Sequence, residues 1–204
     1  TLRNLEYLSI DQPIQLDLLQ FSNLKTLYFT GDNKLKNIGA LINLRDLLMT
    51  STTHQDLTHL ENLRNLETLR ICGGRITSLK GIEAFRNLER LDLLYCRKLI
   101  DVDSISKLAN LKKLHIEKCV QLANFSFLQG NQTIRNLFVE KTANLGFISS
   151  MSNLEKFSFW NCIDGNLEPL IHVPCRIYFY PNKRHYSHTL EQINKMRITN
   201  GLTS

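Results

Sequence analysis

The chain has 204 residues, 43% apolar and 22% charged, with a net charge of +6. Such a balance excludes a disordered segment and suits one domain with a substantial core, and no run of about 18 apolar residues exists to span a membrane. The basic excess favours an acidic partner. The five cysteines, Cys72, Cys96, Cys119, Cys162 and Cys175, show no disulfide framework or zinc spacing, and the start TLRNLEYLSI lacks a signal-peptide layout. The cysteine pattern favours a reducing, cytoplasmic setting.

Taken in chain order, the elements repeat. NLEYLSI begins at residue 4, NLKTLYF at 23, NLRDLLM at 43, NLETLRI at 65, NLERLDL at 87, NLKKLHI at 110, TIRNLFV at 133, NLEKFSF at 153 and a degenerate VPCRIYF at 173. Their first apolar residues, from Leu5, Leu24 and Leu44 through Leu154 to Pro174, are about 19 to 23 residues apart, which makes nine copies. Within each copy apolar and variable residues alternate, predicting a short strand with one buried face. Behind each strand apolar residues recur every third position, as in Ile76, Leu79, Ile82, Phe85 and in Leu99, Val102, Ile105, Leu108. That return is too short for a full helix and predicts turns, extended segments and short 3₁₀ pieces. Strands all running one way stack into a parallel sheet about 4.8 Å between neighbours, while the bulkier returns need more room, so the stack is expected to curve with its strands on the concave side.

The frame L-x-x-L-x-L-x-x-N/C-x-L, with Asn ahead of the first leucine in seven copies, resembles leucine-rich repeats of the short type over residues 4–181. The resemblance implies an α/β solenoid and, in general, protein recognition. Cys96, Cys119 and Cys162 occupy the Asn/Cys position, where the motif buries a small polarizable side chain, so a structural role is expected for them. Other copies place Pro13, Asp32, Thr52, Gly74 and Thr142 there, which predicts an irregular hydrogen-bond ladder along the inner turn. Cys72 falls on a variable strand position and is expected to be the most exposed thiol. The first repeat begins at once, at Leu2 and Leu5, so the expectation is that an N-terminal capping unit is missing, that a preceding domain covers the edge, or that a partner does. After Phe179, Pro181 and a basic run blunt the edge strand. Thr189 and Gln192 can form a capping box, and Leu190, Ile193 and Met196 or Ile198 an apolar stripe. The expected organisation is a repeat array at 1–181, a cap at 182–198 and a tail at 199–204.

No nucleophile–base spacing, phosphate-cradling glycine loop or helical metal motif stands out, and an enzyme or a cofactor is not expected. His185 and His188, with Cys175 or His172, are the best metal set, but solvated surface histidine accounts for them. A binding site belongs on the variable strand positions, where repeats one to four offer mainly small, neutral groups. Later repeats present Arg90, Asp92, Lys113, His115, Glu117, Phe138, Glu140, Lys156, Trp160, Arg176, Tyr178 and Tyr180. Trp160 is the only tryptophan and points outward in this frame. Trp, Tyr and Arg are the residue types that anchor protein interfaces, and the basic column Arg90, Lys113, Lys156, Arg176 suits an acidic protein surface. The interleaved carboxylates count against nucleic acid, the rival partner. The segment NKRHYSHTLEQ is similar to C-termini of bacterial immunity-type leucine-rich-repeat proteins, which implies an inhibitor of a toxin. The remaining alternative is the recognition segment of a larger receptor or scaffold.

Overall fold

The computed structural model describes residues 4–32 and 34–202. Leu2 and the last two residues of the expected tail lie outside them. Among the described residues the strands are β1 (Tyr7–Ile10), β2 (Leu16–Asp17), β3 (Thr26–Thr30), β4 (Leu35–Lys36), β5 (Asp46–Thr50), β6 (Thr68–Cys72), β7 (Arg90–Leu94), β8 (Lys113–Glu117), β9 (Asn136–Thr142), β10 (Lys156–Cys162) and β11 (Arg176–Phe179), and the helix is α1 (Leu190–Thr199). One strand per repeat appears where the alternating frame predicts it. β2 and β4 are two-residue strands of the returning segments and pair with each other.

The chain forms two compact units, Thr1–Leu111 with Lys118–Gln121, and Lys112–Glu117 with Leu122–Ser204. The first holds the parallel order β1, β3, β5, β6, β7, in which Leu27, Leu47, Leu69 and Leu91 stand in register. The second holds β8, β9, β10, β11, with Leu114, Leu137, Phe157 and Ile177 in register. All eight side chains are buried. Each fully buried large apolar side chain contributes about 1.5–3 kcal/mol, so each column is a substantial stabilising element.

The returns are the 3₁₀ turns Leu18–Gln20, Ile38–Ala40, Thr58–Leu60, Ile82–Ala84, Asp103–Lys107, Ser126–Leu128, Ile148–Ser150 and Glu168–Ile171. Every one of them buries at least one large aliphatic residue, for example Leu18, Ile38, Ile82 and Leu128. A 3₁₀ turn suits this task because it carries one apolar side chain inward in few residues. The asparagine ahead of the first leucine stitches successive turns. Asn43 donates to the Ser22 carbonyl, Asn65 to Ile42, Asn110 to Arg86 and Asn153 to Gln132, at 2.7–3.0 Å.

Along the inner turn the ladder is irregular, for the reason visible in the sequence. The Cys96 thiol donates to the carbonyls of Leu94 and Ile71, and the Cys119 thiol to that of Leu93. Contact with Cys119 and then burial push the Cys96 thiol up, and burial, then Asp164, pushes Cys162 up to about 12, so these are neutral packing groups. Where Asp32 replaces cysteine, its buried carboxylate accepts from the Thr52 hydroxyl, the Thr53 hydroxyl and the Thr53 N–H. Burial works to raise its pKa, but the threonine hydrogen bonds outweigh burial and hold it below the usual carboxylate range. Cys72 is the one cysteine that is only half-buried.

At the C-terminal end, Thr189 and Gln192 form the capping box, Oε1 of Gln192 accepting from the Thr189 N–H at 2.7 Å and Oγ1 of Thr189 from the Gln192 N–H at 3.2 Å. Ile193 is buried, but Met196 and Ile198 are exposed, so the expected apolar stripe is not what anchors α1. The anchor is Arg197, 1% exposed, whose guanidinium donates to the carbonyls of Leu170 (3.1 Å), Val173 (2.6 Å) and Cys175 (2.7 Å). Three converging backbone carbonyls satisfy the planar donor fork, which a sequence count of apolar residues does not reveal.

Between β11 and α1, residues 182–189 take over backbone groups that a further strand would otherwise bond. The Tyr186 hydroxyl accepts from the Cys162 N–H (3.1 Å) and donates to the Trp160 carbonyl (3.3 Å), while His185 Nε2 lies 3.0 Å from the Cys162 carbonyl. Ser187 bonds Gly165 through its N–H and Leu167 through its hydroxyl. Gly165, at φ +70°, permits this approach, since a Cβ there would collide with the His185 carbonyl.

Candidate functional site

On β8 to β11 the side chains opposite the core form a continuous array. His115, Phe138, Ser158 and Tyr178 stand in one register column, and Lys113, Asn136, Lys156 and Arg176 in the next. Trp160, two residues beyond Ser158 along β10 on the same face, meets Phe138 edge to face, with ring centroids 5.3 Å apart and planes at 80°. His115 lies against the other side of Phe138 at 4.4 Å, and its Nε2 is 3.1 Å from Glu117 Oε2. The Lys156 ammonium sits 5.0 Å from the Tyr178 ring centroid, a cation–π contact.

Despite its neighbour, Trp160 stays 40% exposed, and Tyr178 and Tyr180 are exposed at 49% and 80%. Intramolecular packing therefore fixes the indole without covering it. Beyond it lies an open groove of ≈ 560 Å³, lined by Glu140, Lys141, Trp160, Asn161, Tyr180, Pro181 and Lys183. Lys183 lies outside the repeat frame, and Lys141 and Asn161, seven residues after the first apolar position of their copies, sit at its rim and were not named as candidates. β9 and β10 run for seven residues, two more than β5 to β8, and pair on to Asn161–Lys141 and Cys162–Thr142.

The structure brings Lys113, His115, Glu117, Phe138, Glu140, Lys156, Trp160, Arg176, Tyr178 and Tyr180 together on the second unit. Arg90 and Asp92 belong to the first. Asp92 is 5% exposed and taken up by Arg90, whose Nη2 is 2.8 Å from Oδ2 and whose Nε donates to both oxygens, so it offers almost no surface to a partner. On the first unit, the larger side chains among the mainly small and neutral groups converge. The Tyr28 hydroxyl donates to Asp46 at 2.8 Å, Arg70 donates to the same carboxylate and covers the Tyr28 ring at 4.6 Å, and Tyr7 meets Tyr28 edge to face. These four come from four successive repeats and two register columns, and their convergence was not legible copy by copy.

His185 reaches Cys162, and His188 Nδ1 lies 2.9 Å from the Ser187 hydroxyl. Among the described residues no cluster of three His, Cys, Asp or Glu is placed to hold an ion, and no helix is long and apolar enough to cross a membrane. His54 and His59 stack with centroids 3.7 Å apart, and both ring nitrogens of His59 are buried without a hydrogen-bond partner. Burial first, and then His54, pushes the His59 pKa down.

No protein-family model matches the chain, and no curated protein resembles it significantly in sequence. Solved structures do resemble it in fold. An internalin from Listeria monocytogenes superposes with a TM-score of 0.67 at 21% identity, over 87% of this chain and 54% of its own. A leucine-rich-repeat protein of Leptospira interrogans gives 0.56 at 17% identity, over 78% of this chain and 45% of its own. A plant peptide hormone receptor in complex with RGF2 gives 0.50 at 19%, over 86% and 30%. The chain thus spans about half the length of the first of these proteins and less of the others. With one parallel strand per repeat, 3₁₀ returns and these neighbours, the chain has the leucine-rich-repeat solenoid fold.

Proposed function

We propose that the chain is a non-catalytic protein–protein interaction module that captures a partner on the open face of β8 to β11. The observation that carries this reading is Trp160, held edge to face by Phe138 and still 40% exposed, next to Tyr178 and Tyr180. Rigid aromatic side chains that are already ordered lose little entropy on binding, and such positions commonly cost 2 kcal/mol or more when truncated. Lys113, Lys156 and Arg176 border the array, so the partner presents an acidic surface and binding weakens with salt. The complex of the plant receptor with RGF2 supports the idea that this fold serves recognition of a polypeptide. Within this reading an inhibitor of immunity type fits best, because residues 182–192 carry that resemblance and also brace the backbone of Trp160. The free cysteines suit a cytoplasmic setting.

The test is an affinity capture from the native source with the parent beside a Trp160→Ala, Tyr178→Ala double variant, with and without nuclease. A protein held by the parent, lost by the variant and indifferent to nuclease is the expected result. Equal retention by both would sink the reading, and loss on nuclease treatment would replace it with nucleic-acid binding.

A further inference from the structure

We infer that the groove between Trp160 and residues 180–183 receives a large apolar side chain flanked by carboxylates, carried on an exposed segment of the partner protein. The inference rests on the reading above and specifies what the partner inserts. Three observations carry it. First, three large, largely apolar side chains line it, Trp160, Tyr180 and Pro181, and the first is fixed: the Trp160 indole abuts Phe138 and its backbone carbonyl accepts from the Tyr186 hydroxyl. An apolar surface that is already ordered favours a side chain that packs on it without ordering the protein first. Second, the charged lining is two cations, Lys141 and Lys183, against one carboxylate, Glu140, with the Asn161 amide beside them. A basic segment would meet like charge, whereas carboxylates beside the anchor meet ammonium groups and an amide donor. Third, at ≈ 560 Å³ the groove matches the size of a small binding pocket, yet it is open along its length. It admits a side chain together with the backbone that carries it, which suits a protruding loop or peptide.

Trp160 is the chain's only tryptophan, so its emission reports directly on the groove. The probes are acetyl-Glu-Leu-Glu-amide, acetyl-Gln-Leu-Gln-amide and acetyl-Glu-Ala-Glu-amide, titrated over one concentration range into the parent and a Lys141→Gln, Lys183→Gln variant. The parent is expected to show a saturable change with the Glu-Leu-Glu peptide. The midpoint is expected to rise by about threefold or more with either other peptide, with the variant, or in high salt. Both lysines are only half-buried, so the variant is expected to keep the parent's melting temperature. No saturable change with the Glu-Leu-Glu peptide, or equal midpoints for the acidic and neutral peptides, overturns the inference. If the native partner still depends on Trp160 and Tyr178 while the peptides fail, only the groove assignment falls. If the partner ignores Trp160 and Tyr178, the wider reading falls with it.

Discussion

Replacing Arg197 tests whether one buried guanidinium holds the C-terminal helix in place. The side chain is 1% exposed and donates three hydrogen bonds to carbonyls of residues 170–175. Hydrogen bonds from a charged donor contribute about 1.5–3 kcal/mol each, but desolvating the guanidinium costs several kcal/mol and offsets much of that. In Arg197→Met the charge and its cost disappear together, and the carbonyls of Leu170, Val173 and Cys175 lose their donor. An unsatisfied buried carbonyl costs about 1–3 kcal/mol, and water entering at the helix edge recovers part of it. The expected net loss is about 2–4 kcal/mol. Met and Arg have similar helix propensity, so the loss is not one of intrinsic helicity. Arg197→Lys keeps the charge but replaces the planar fork with a point donor and is expected to fall between parent and Met. Urea unfolding followed by Trp160 emission and by far-UV circular dichroism measures both. A Met variant with the parent's midpoint would refute the claim that these three bonds anchor the helix.

Two further outcomes are expected. Leu114, 2% exposed and in register with the buried Leu137, is expected to cost about 2–5 kcal/mol as Leu114→Ala in the same urea assay, and a parent-like midpoint would show that the repeat frame is misplaced. For His59, the depressed folded-state pKa means that the unfolded chain binds the proton more readily. Its contribution to stability is fully present above the ordinary value of 6.5 and is lost as pH falls through it toward the folded value. Melting temperatures from about pH 7.5 down to about pH 5 are expected to drop less for His59→Phe, which keeps the ring stack with His54 but cannot titrate; an unchanged slope would remove His59 as the cause.

The repeat made the core legible because every copy repeats one constraint. An apolar residue at a fixed offset fills the same slot in each strand, so Leu27, Leu47, Leu69 and their counterparts could be assigned from spacing alone. The 3₁₀ returns followed from length, since a return of a dozen residues cannot contain a helix and come back. What spacing could not give were contacts between columns and at the ends. The knot of Tyr28, Asp46 and Arg70 draws on three repeats and two columns. Arg197 was hidden because an arginine in a terminal helix reads as surface, and only the tertiary path brings three carbonyls to it. Lys141 and Asn161 fall at the rim of the frame, seven residues after the first apolar position, and nothing in the spacing showed that β9 and β10 run two residues longer than β5 to β8 and carry them to the groove.

Those two extra residues connect the end of the stack to the candidate site. β10 continues to Cys162 and pairs with β9 throughout, but β11 stops at Phe179, so the far edge of β10 from Trp160 to Cys162 has no strand beside it. Backbone groups there require donors and acceptors from elsewhere, and Tyr186 and His185 supply them. To bring Tyr186 into position the chain leaves the sheet at Tyr180 and Pro181 and returns through Lys183, and that detour forms the outer wall of the groove. The requirement to terminate a parallel sheet and the presence of a slot over an exposed tryptophan therefore share one physical cause. In the interior of the array a following strand would occupy that edge, which is why the groove stands at the last repeat and is built partly from residues outside the repeat frame.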